Sequence, residues 1–160
     1  MDYLWTPWRY SYITKTGEQT ECVFCAAAQP GNDREMLVVH RAAHNYVILN
    51  RFPYTSGHFM VVPYEHLPTL EDLPDETLTE LIRLAQAGEK HLRAIYHPEG
   101  LNLGMNIGRS AGAGIAGHVH LHVLPRWNGD TNFMTAVSET RVLPEALEVT
   151  WEKLRKAYSD

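Results

Sequence analysis

The sequence predicts an α+β domain, an antiparallel sheet of about five strands carrying one long central helix and a C-terminal helix. Three observations lead there. Short β-branched and aromatic runs broken by Pro/Gly turns fill residues 36–63, and a helical run of about six turns follows Leu73. The segment "GHVHLHVLPRW", Gly117 to Trp127, alternates strictly between histidine and aliphatic residues. Strands interrupted by a single long helix do not make the repeating alternation of a doubly wound fold.

Taken in order, residues 1–35 carry aromatics, the pair Cys22 and Cys25 in "CVFC", and a Gln-Pro-Gly-Asn-Asp turn, and read as a flank or lid. Residues 36–127 read as the core and 128–160 as an extension, together one domain. Met36–His40 and Asn45–Asn50 are predicted strands, the second rich in Tyr, Val and Ile and closed before Pro53. His58–Pro63 is a third, reached through a turn containing Pro53, Ser56 and Gly57 that suits antiparallel neighbours. The long helix starts at Pro74 or Asp75, has acids in its first turn, and is followed by Gly100. Leu78, Leu81, Ile82, Ala85, Leu92 and Ile95 form its apolar stripe. A strand near "LNLGMNIG", a glycine-rich loop and the histidine strand come next. "LPEALEVTWEKLRKAY" then places Leu143, Leu147, Trp151, Leu154 and Tyr158 at helical spacing.

Composition narrows the function. The 160 residues are 44% hydrophobic and 21% charged, ordinary for a folded soluble chain. A net charge of −5 gives no general attraction to nucleic acid or anionic lipid, so a polyanionic ligand needs a local site. That favours a small phosphate-bearing substrate. The N-terminus shows no basic segment followed by a long apolar run, and no stretch has the length of a membrane span, so a cytoplasmic protein is expected. In a reducing compartment a close cysteine pair is a metal ligand set or a redox motif more often than a disulfide.

On a strand, His118, His120 and His122 share one face while Val119, Leu121 and Val123 line the other. Five glycines between Gly104 and Gly117 precede them, and such a loop brings backbone N–H groups close to an anion. A neutral imidazole facing a phosphoryl group can attack it, and a protonated one can stabilise its charge; the middle residue, His120, is the natural nucleophile. A purely metal-binding face and a set of hydrogen-bonded core histidines are the alternatives.

"HVHLHVL" resembles the His-φ-His-φ-His-φ-φ signature of the histidine triad superfamily of nucleotide hydrolases and transferases. "YVILNRFPYTSGHFMVVPYEH" is similar to that family's strand-turn-strand, and "NIGRSAGAGIAGHVHLHVLPRW" to its phosphate loop and active strand, so the similarity runs from about Leu4 to Trp127. The resemblance implies a HIT-like fold. It also implies that His120 attacks the α-phosphorus of a nucleotide to form a nucleotidyl-histidine, that His122 contacts the reacting phosphate, and that His118 orients its neighbours or binds metal. Asn50 matches a ribose-binding position, Asn106 a polar position near the bridging phosphates, Gly112 and Gly114 belong to the phosphate loop, and His58 matches a family histidine at the strand start. In metal-containing members a zinc site combines a Cys-x-x-Cys pair with two histidines; here Cys22, Cys25, His66 and His118 match, a closed set that suits a structural zinc. No organic cofactor is implied.

"LWTPWRYSYI" and "PRWNGDTNF" are similar to bacterial diadenosine tetraphosphate phosphorylases of the triad type, in which inorganic phosphate resolves the intermediate. By that likeness Trp8 and Trp127 pack on the base or close the site, or else serve as core or dimer contacts. Where those phosphorylases carry Gly-Ser, this chain has Ala113-Gly114, so phosphorolysis and hydrolysis both stay open. The resemblance thus implies cleavage of diadenosine tri- or tetraphosphate by a homodimer that binds neither nucleic acid nor membrane. A nucleoside phosphoramidase and a nucleotide-binding regulatory protein with little turnover are the other readings.

Overall fold

The computed structural model describes residues 21–130 and 144–159. Five strands form one antiparallel sheet: β1 (Val38–Arg41), β2 (Asn45–Leu49), β3 (Phe59–Pro63), β4 (Gly100–Gly104) and β5 (Leu121–Arg126), in the order β1-β2-β3-β5-β4. Four helices accompany them: α1 (Val23–Ala28), α2 (Asp33–Met36), α3 (Asp75–Tyr96) and α4 (Leu147–Ala157). The α+β class and the element order agree with the sequence reading. Leu143 of the expected C-terminal helix lies outside the described residues, as do Trp8 and the rest of "LWTPWRYSYI".

Boundaries differ for identifiable reasons. Met36 closes the short helix α2, and Leu37 takes a left-handed conformation (φ 64°) as its C-cap, so β1 begins only at Val38. The long helix ends at Tyr96 with His97 in the left-handed position (φ 47°), and Gly100 opens β4 instead of ending the helix. β5 is assigned from Leu121, so of the three alternating histidines only His122 lies within the paired strand. The β3–β5 ladder ends at Val61 opposite Leu121: beyond it the Pro63 carbonyl accepts from the His118 ring (2.9 Å), and the Val119 amide donates to the Leu67 carbonyl (2.8 Å).

The central strands β2 and β3 are buried on both sides. Leu81, Leu84, Ala85 and Leu92 of α3 and Leu154 of α4 cover Val39, Val47, Leu49, Phe59, Val61, Leu121 and Val123 on one face. The spacing of those α3 residues is the helical i, i+3, i+4 pattern. Ile82, expected in the stripe, is 59% exposed, and Leu84 takes its place in the core. On the other face Phe24 and Ala27 of α1 pack with Val38, Tyr46, Ile48, Met60 and Val62, so the N-terminal flank contributes to the core itself.

Two devices finish the edges. A bulge between Val38 and His40 bends β1; the Trp151 indole N–H donates to the Val38 carbonyl (2.8 Å) and the Arg155 guanidinium to that of Val39 (2.9 Å), so α4 covers this outer edge. At the β1–β2 turn the Glu80 carboxylate of α3 accepts from the amides of Ala43, His44 and Asn45 (3.1, 2.7 and 2.8 Å) and from Asn45 Nδ2 (2.9 Å). Burial works to raise its pKa, but those bonds outweigh it and hold the carboxyl below its ordinary value.

Helix α3 approaches the sheet closely at Gly88, where an added Cβ would lie 2.1 Å from Phe59 Cζ and 2.7 Å from the Tyr158 hydroxyl. Gly88→Ala is expected to lower stability by about 1–3 kcal/mol despite alanine's better helix propensity, measured as an earlier denaturation midpoint. Glu80→Gln, which turns an acceptor of amide N–H groups partly into a donor, is expected to cost roughly 2 kcal/mol in the same assay.

Candidate active site and metal centre

The histidine face lies under α1. The Phe24 ring sits 4.7 Å from the ring of His120 and 5.4 Å from that of His118, and Cys22 and Cys25 flank it in the chain. Two side chains fix this helix. Arg41 donates to the carbonyls of Ala27, Ala28 and Gln29 (2.8, 2.8 and 3.0 Å), capping its C-terminal end, and is itself held by Asp33 (3.0 Å). The Tyr46 hydroxyl donates to the Phe24 carbonyl (2.7 Å).

Each imidazole has its tautomer chosen by a fixed partner. His120 Nδ1 lies 2.8 Å from the His118 carbonyl oxygen; a carbonyl only accepts, so His120 carries its proton on Nδ1 and its lone pair on Nε2. His118 Nε2 lies 2.9 Å from the Pro63 carbonyl, which by the same logic turns an unprotonated Nδ1 toward the cysteines. The Tyr54 amide donates to His58 Nδ1 (3.1 Å), so neutral His58 donates from Nε2 to His122 Nδ1 (3.0 Å). His122 therefore keeps its own proton on Nε2, the nitrogen turned away from His58.

Burial lowers the pKa of all three. For His118 it is the leading cause, opposed by the Pro63 carbonyl and reinforced by His66 and His120. For His120 burial outweighs the bond to the His118 carbonyl, and for His122 burial with neighbouring His120 brings the pKa to about 4. The face is thus neutral at pH 7: one buried lone pair at His120 Nε2, with a donor N–H on the next imidazole, their rings 4.8 Å apart.

Cys22, Cys25, His66 and His118 place one ligand atom each within 4.8 Å of one another. Cys22 Sγ is 3.5 Å from His118 Nδ1, and Cys25 Sγ is 3.2 Å from His66 Nδ1 and 3.7 Å from His118 Nδ1. Donors about 3.3–3.8 Å apart are what tetrahedral Zn–S and Zn–N bonds require. The donor chemistry fits as well: both cysteines are free, and His118 presents a bare Nδ1 with its other nitrogen held by a carbonyl, as metal-bound histidines do. Burial and the neighbouring Cys22 push the Cys25 thiol up, so a cation is the natural way to keep both sulfurs as thiolates. A Cβ at Gly117 would come 3.2 Å from His66 Nε2, so glycine there leaves room for the ligand ring.

Other expected residues fall around this centre. Asn50 sits at the end of β2 with Oδ1 accepting from the Phe52 amide (2.9 Å) and Nδ2 3.5 Å from His58 Nε2, so it offers a donor to the site. Asn106, Gly112 and Gly114 lie between β4 and β5, with Gly112 at a φ of 90° that favours glycine. The amides of residues 114–117 donate to no backbone carbonyl among the described residues. Trp127 is not gathered with them. It lies five residues past His122, about 16 Å along a strand, and its indole N–H donates to the Tyr96 carbonyl at the end of α3 (3.4 Å). Sequence reasoning missed Phe24 and Tyr54; only the position of Phe24 between the two cysteines hinted at either.

Residues 31–129 match the HIT domain family. The chain belongs to it. A protein named AP-4-A phosphorylase from Mycobacterium tuberculosis is 40% identical to this HIT chain over 154 residues, spanning 92% of the chain and 79% of that protein. A Zn-bound histidine triad family protein from Mycobacterium smegmatis has the same fold, with a TM-score of 0.69 and 31% identity over 87% of this chain and 94% of its own. A hypothetical histidine triad nucleotide-binding protein from Sulfolobus tokodaii aligns at a TM-score of 0.68 with 27% identity, covering 86% and 92% of the two chains.

Acid should destabilise the fold through these imidazoles. Unfolded histidines titrate near pH 6.5, whereas folded His122 titrates near 4, so the folded state binds fewer protons between those values. Stability is full above about pH 6.5 and falls as pH drops toward 4, His122 contributing at most on the order of 3 kcal/mol. Denaturation across that range should show the slope, and His122→Asn should flatten it.

Proposed function

We propose that this HIT protein cleaves dinucleoside polyphosphates through a nucleotidyl-histidine on His120. The observation that carries the reading is the bond from His120 Nδ1 to the His118 carbonyl, which leaves Nε2 with its lone pair and no proton to lose. That lone pair attacks the α-phosphorus; the Nε2–P bond forms as the bond to the bridging oxygen breaks, and the departing polyphosphate takes the electron pair. Positive charge on His120 is shared through its Nδ1–H with the carbonyl of His118. His122 presents Nε2–H to the charge on the phosphoryl oxygens, and the amides of residues 114–117 supply further donors beside Asn106, Gly112 and Gly114. Asn50 gives its NH₂ group to a ribose oxygen. Water or inorganic phosphate then displaces His120 from phosphorus.

The likeness to an AP-4-A phosphorylase supports dinucleoside polyphosphates as the substrate class. A structural zinc on Cys22, Cys25, His66 and His118 is part of the proposal, supported by the ligand geometry and by the Zn-bound relative. When bound it would supply a tetrahedral crosslink and no open position. We further read the chain as one HIT domain acting in the cytoplasm, where free thiols persist. No helix among the described residues is long and apolar enough to cross a membrane. Homodimerisation through the open β4 edge is supported by its position at the end of the sheet and by exposed Leu103 and Ile107.

Incubation with diadenosine tetraphosphate, with and without inorganic phosphate, tests the activity. ATP plus ADP formed only with phosphate means phosphorolysis; AMP plus ATP without it means hydrolysis; no cleavage by zinc-loaded protein defeats the reading. His120→Ala should reduce turnover by about a thousandfold or more and abolish an acid-labile nucleotidyl adduct seen by mass spectrometry. Metal analysis of purified protein should find one zinc per chain, lost in the Cys22→Ser/Cys25→Ser double variant.

A further inference from the structure

His118 stands in both sites at once. Its side chain is fully buried and contributes Nδ1 to the cysteine–histidine cluster, while its main-chain carbonyl holds the proton of His120. Helix α1 repeats that double connection. Its two ends of one turn, Cys22 and Cys25, approach His118, and Phe24 between them lies against both His118 and His120. The same short segment thus touches the metal ligands and the nucleophile.

We propose that the metal centre is a positioning device for His120: Cys22, Cys25 and His66, acting through His118 and Phe24, hold the nucleophile's Nδ1–H on the His118 carbonyl and its Nε2 toward phosphorus. The proposal rests on the nucleotidyl-histidine reading and gives the zinc a role beyond tying the N-terminal segment down. Its physical basis is short-range. Without a cation the two sulfurs and two imidazoles have no common partner, the His118 ring keeps only its bond to Pro63, and the peptide whose oxygen receives the His120 proton loses one of its two anchors. The fold has independent support, since Arg41 still caps α1, Tyr46 still holds the Phe24 carbonyl, and the opposite face of the sheet is packed by α3 and α4. Metal loss should therefore leave a folded protein with a slack nucleophile. Partners of this kind are worth about 10- to 100-fold in activity.

The test compares zinc-loaded protein, the same protein stripped by a chelator, and the stripped protein with zinc restored. Expected are an unchanged far-ultraviolet dichroism spectrum, kcat lowered about 10- to 100-fold with KM for diadenosine tetraphosphate changed less than about twofold, and full recovery on adding zinc. Long-range ¹H–¹⁵N NMR on ¹⁵N-histidine protein gives a readout apart from activity: the His120 signal, assigned by its loss in His120→Ala, should report a single Nδ1–H tautomer with zinc and a mixture without it. Cys25→Ser should lose zinc and show the same lowered kcat as the stripped protein. A stripped, folded protein with unchanged kcat and an unchanged His120 tautomer overturns the proposal. So does a stripped protein that unfolds, because zinc is then a fold clamp only, and so does a protein that takes up no zinc. An adduct absent from zinc-loaded protein defeats the underlying mechanism, whereas an adduct formed equally fast with and without zinc defeats only the coupling.

Discussion

A neutral imidazole has two nitrogens and one proton, and where that proton sits decides whether a ring nitrogen can attack or bind metal, or must donate. Here the choice is made by rigid main-chain groups. The Pro63 and His118 carbonyls and the Tyr54 amide each have one possible role in a hydrogen bond, and through them His118, His120, His58 and His122 receive complementary assignments. A buried side-chain partner could titrate; a main-chain carbonyl cannot. The site depends on those few backbone atoms, at the end of β3, in the β2–β3 turn and in the segment entering β5.

The Pro63 carbonyl is free for this because the β3–β5 ladder stops short of it. That ladder ends at Val61 opposite Leu121, and the chain leading into β5 runs on past it, so the His118 ring meets the Pro63 carbonyl while His122 remains paired opposite Met60. On the far side Gly88 lets α3 settle against Phe59, and on the near side α1 closes over the histidines. Packing on both faces leaves little freedom for the strand that carries the chemistry.

Much of this was legible in the sequence, and what was legible shares a cause. Alternating histidines, a close cysteine pair and a six-turn helix are local patterns, each set by the period of one element or a short spacing. His66 came only with the family resemblance, since nothing local marks it as the partner of residues some 40 and 50 positions away. Glu80 under the β1–β2 turn, the Arg41 fork on α1 and the Trp151 and Arg155 bonds to β1 were not legible, because their meaning depends on which distant backbone groups arrive unpaired beside them. The helix stripe failed at one position for a simpler reason: at a 3.6-residue period Ile82 and Leu84 lie on opposite flanks of the stripe, about equally far from its centre, so periodicity alone does not choose between them, and Leu84 is the one buried.

The bonds from Trp151 and Arg155 to β1 also bear on how copies of the chain can meet. A sheet with two bare rims can recruit strands at both and grow into a fibre. Among the described residues this one has a stopper on one rim, made of helix α4, and a bare rim at β4. Like chains that join there use up the strand edge left bare among the described residues, so growth by strand addition terminates after one step, and the stoichiometry of any such assembly is written into the covering of the opposite rim.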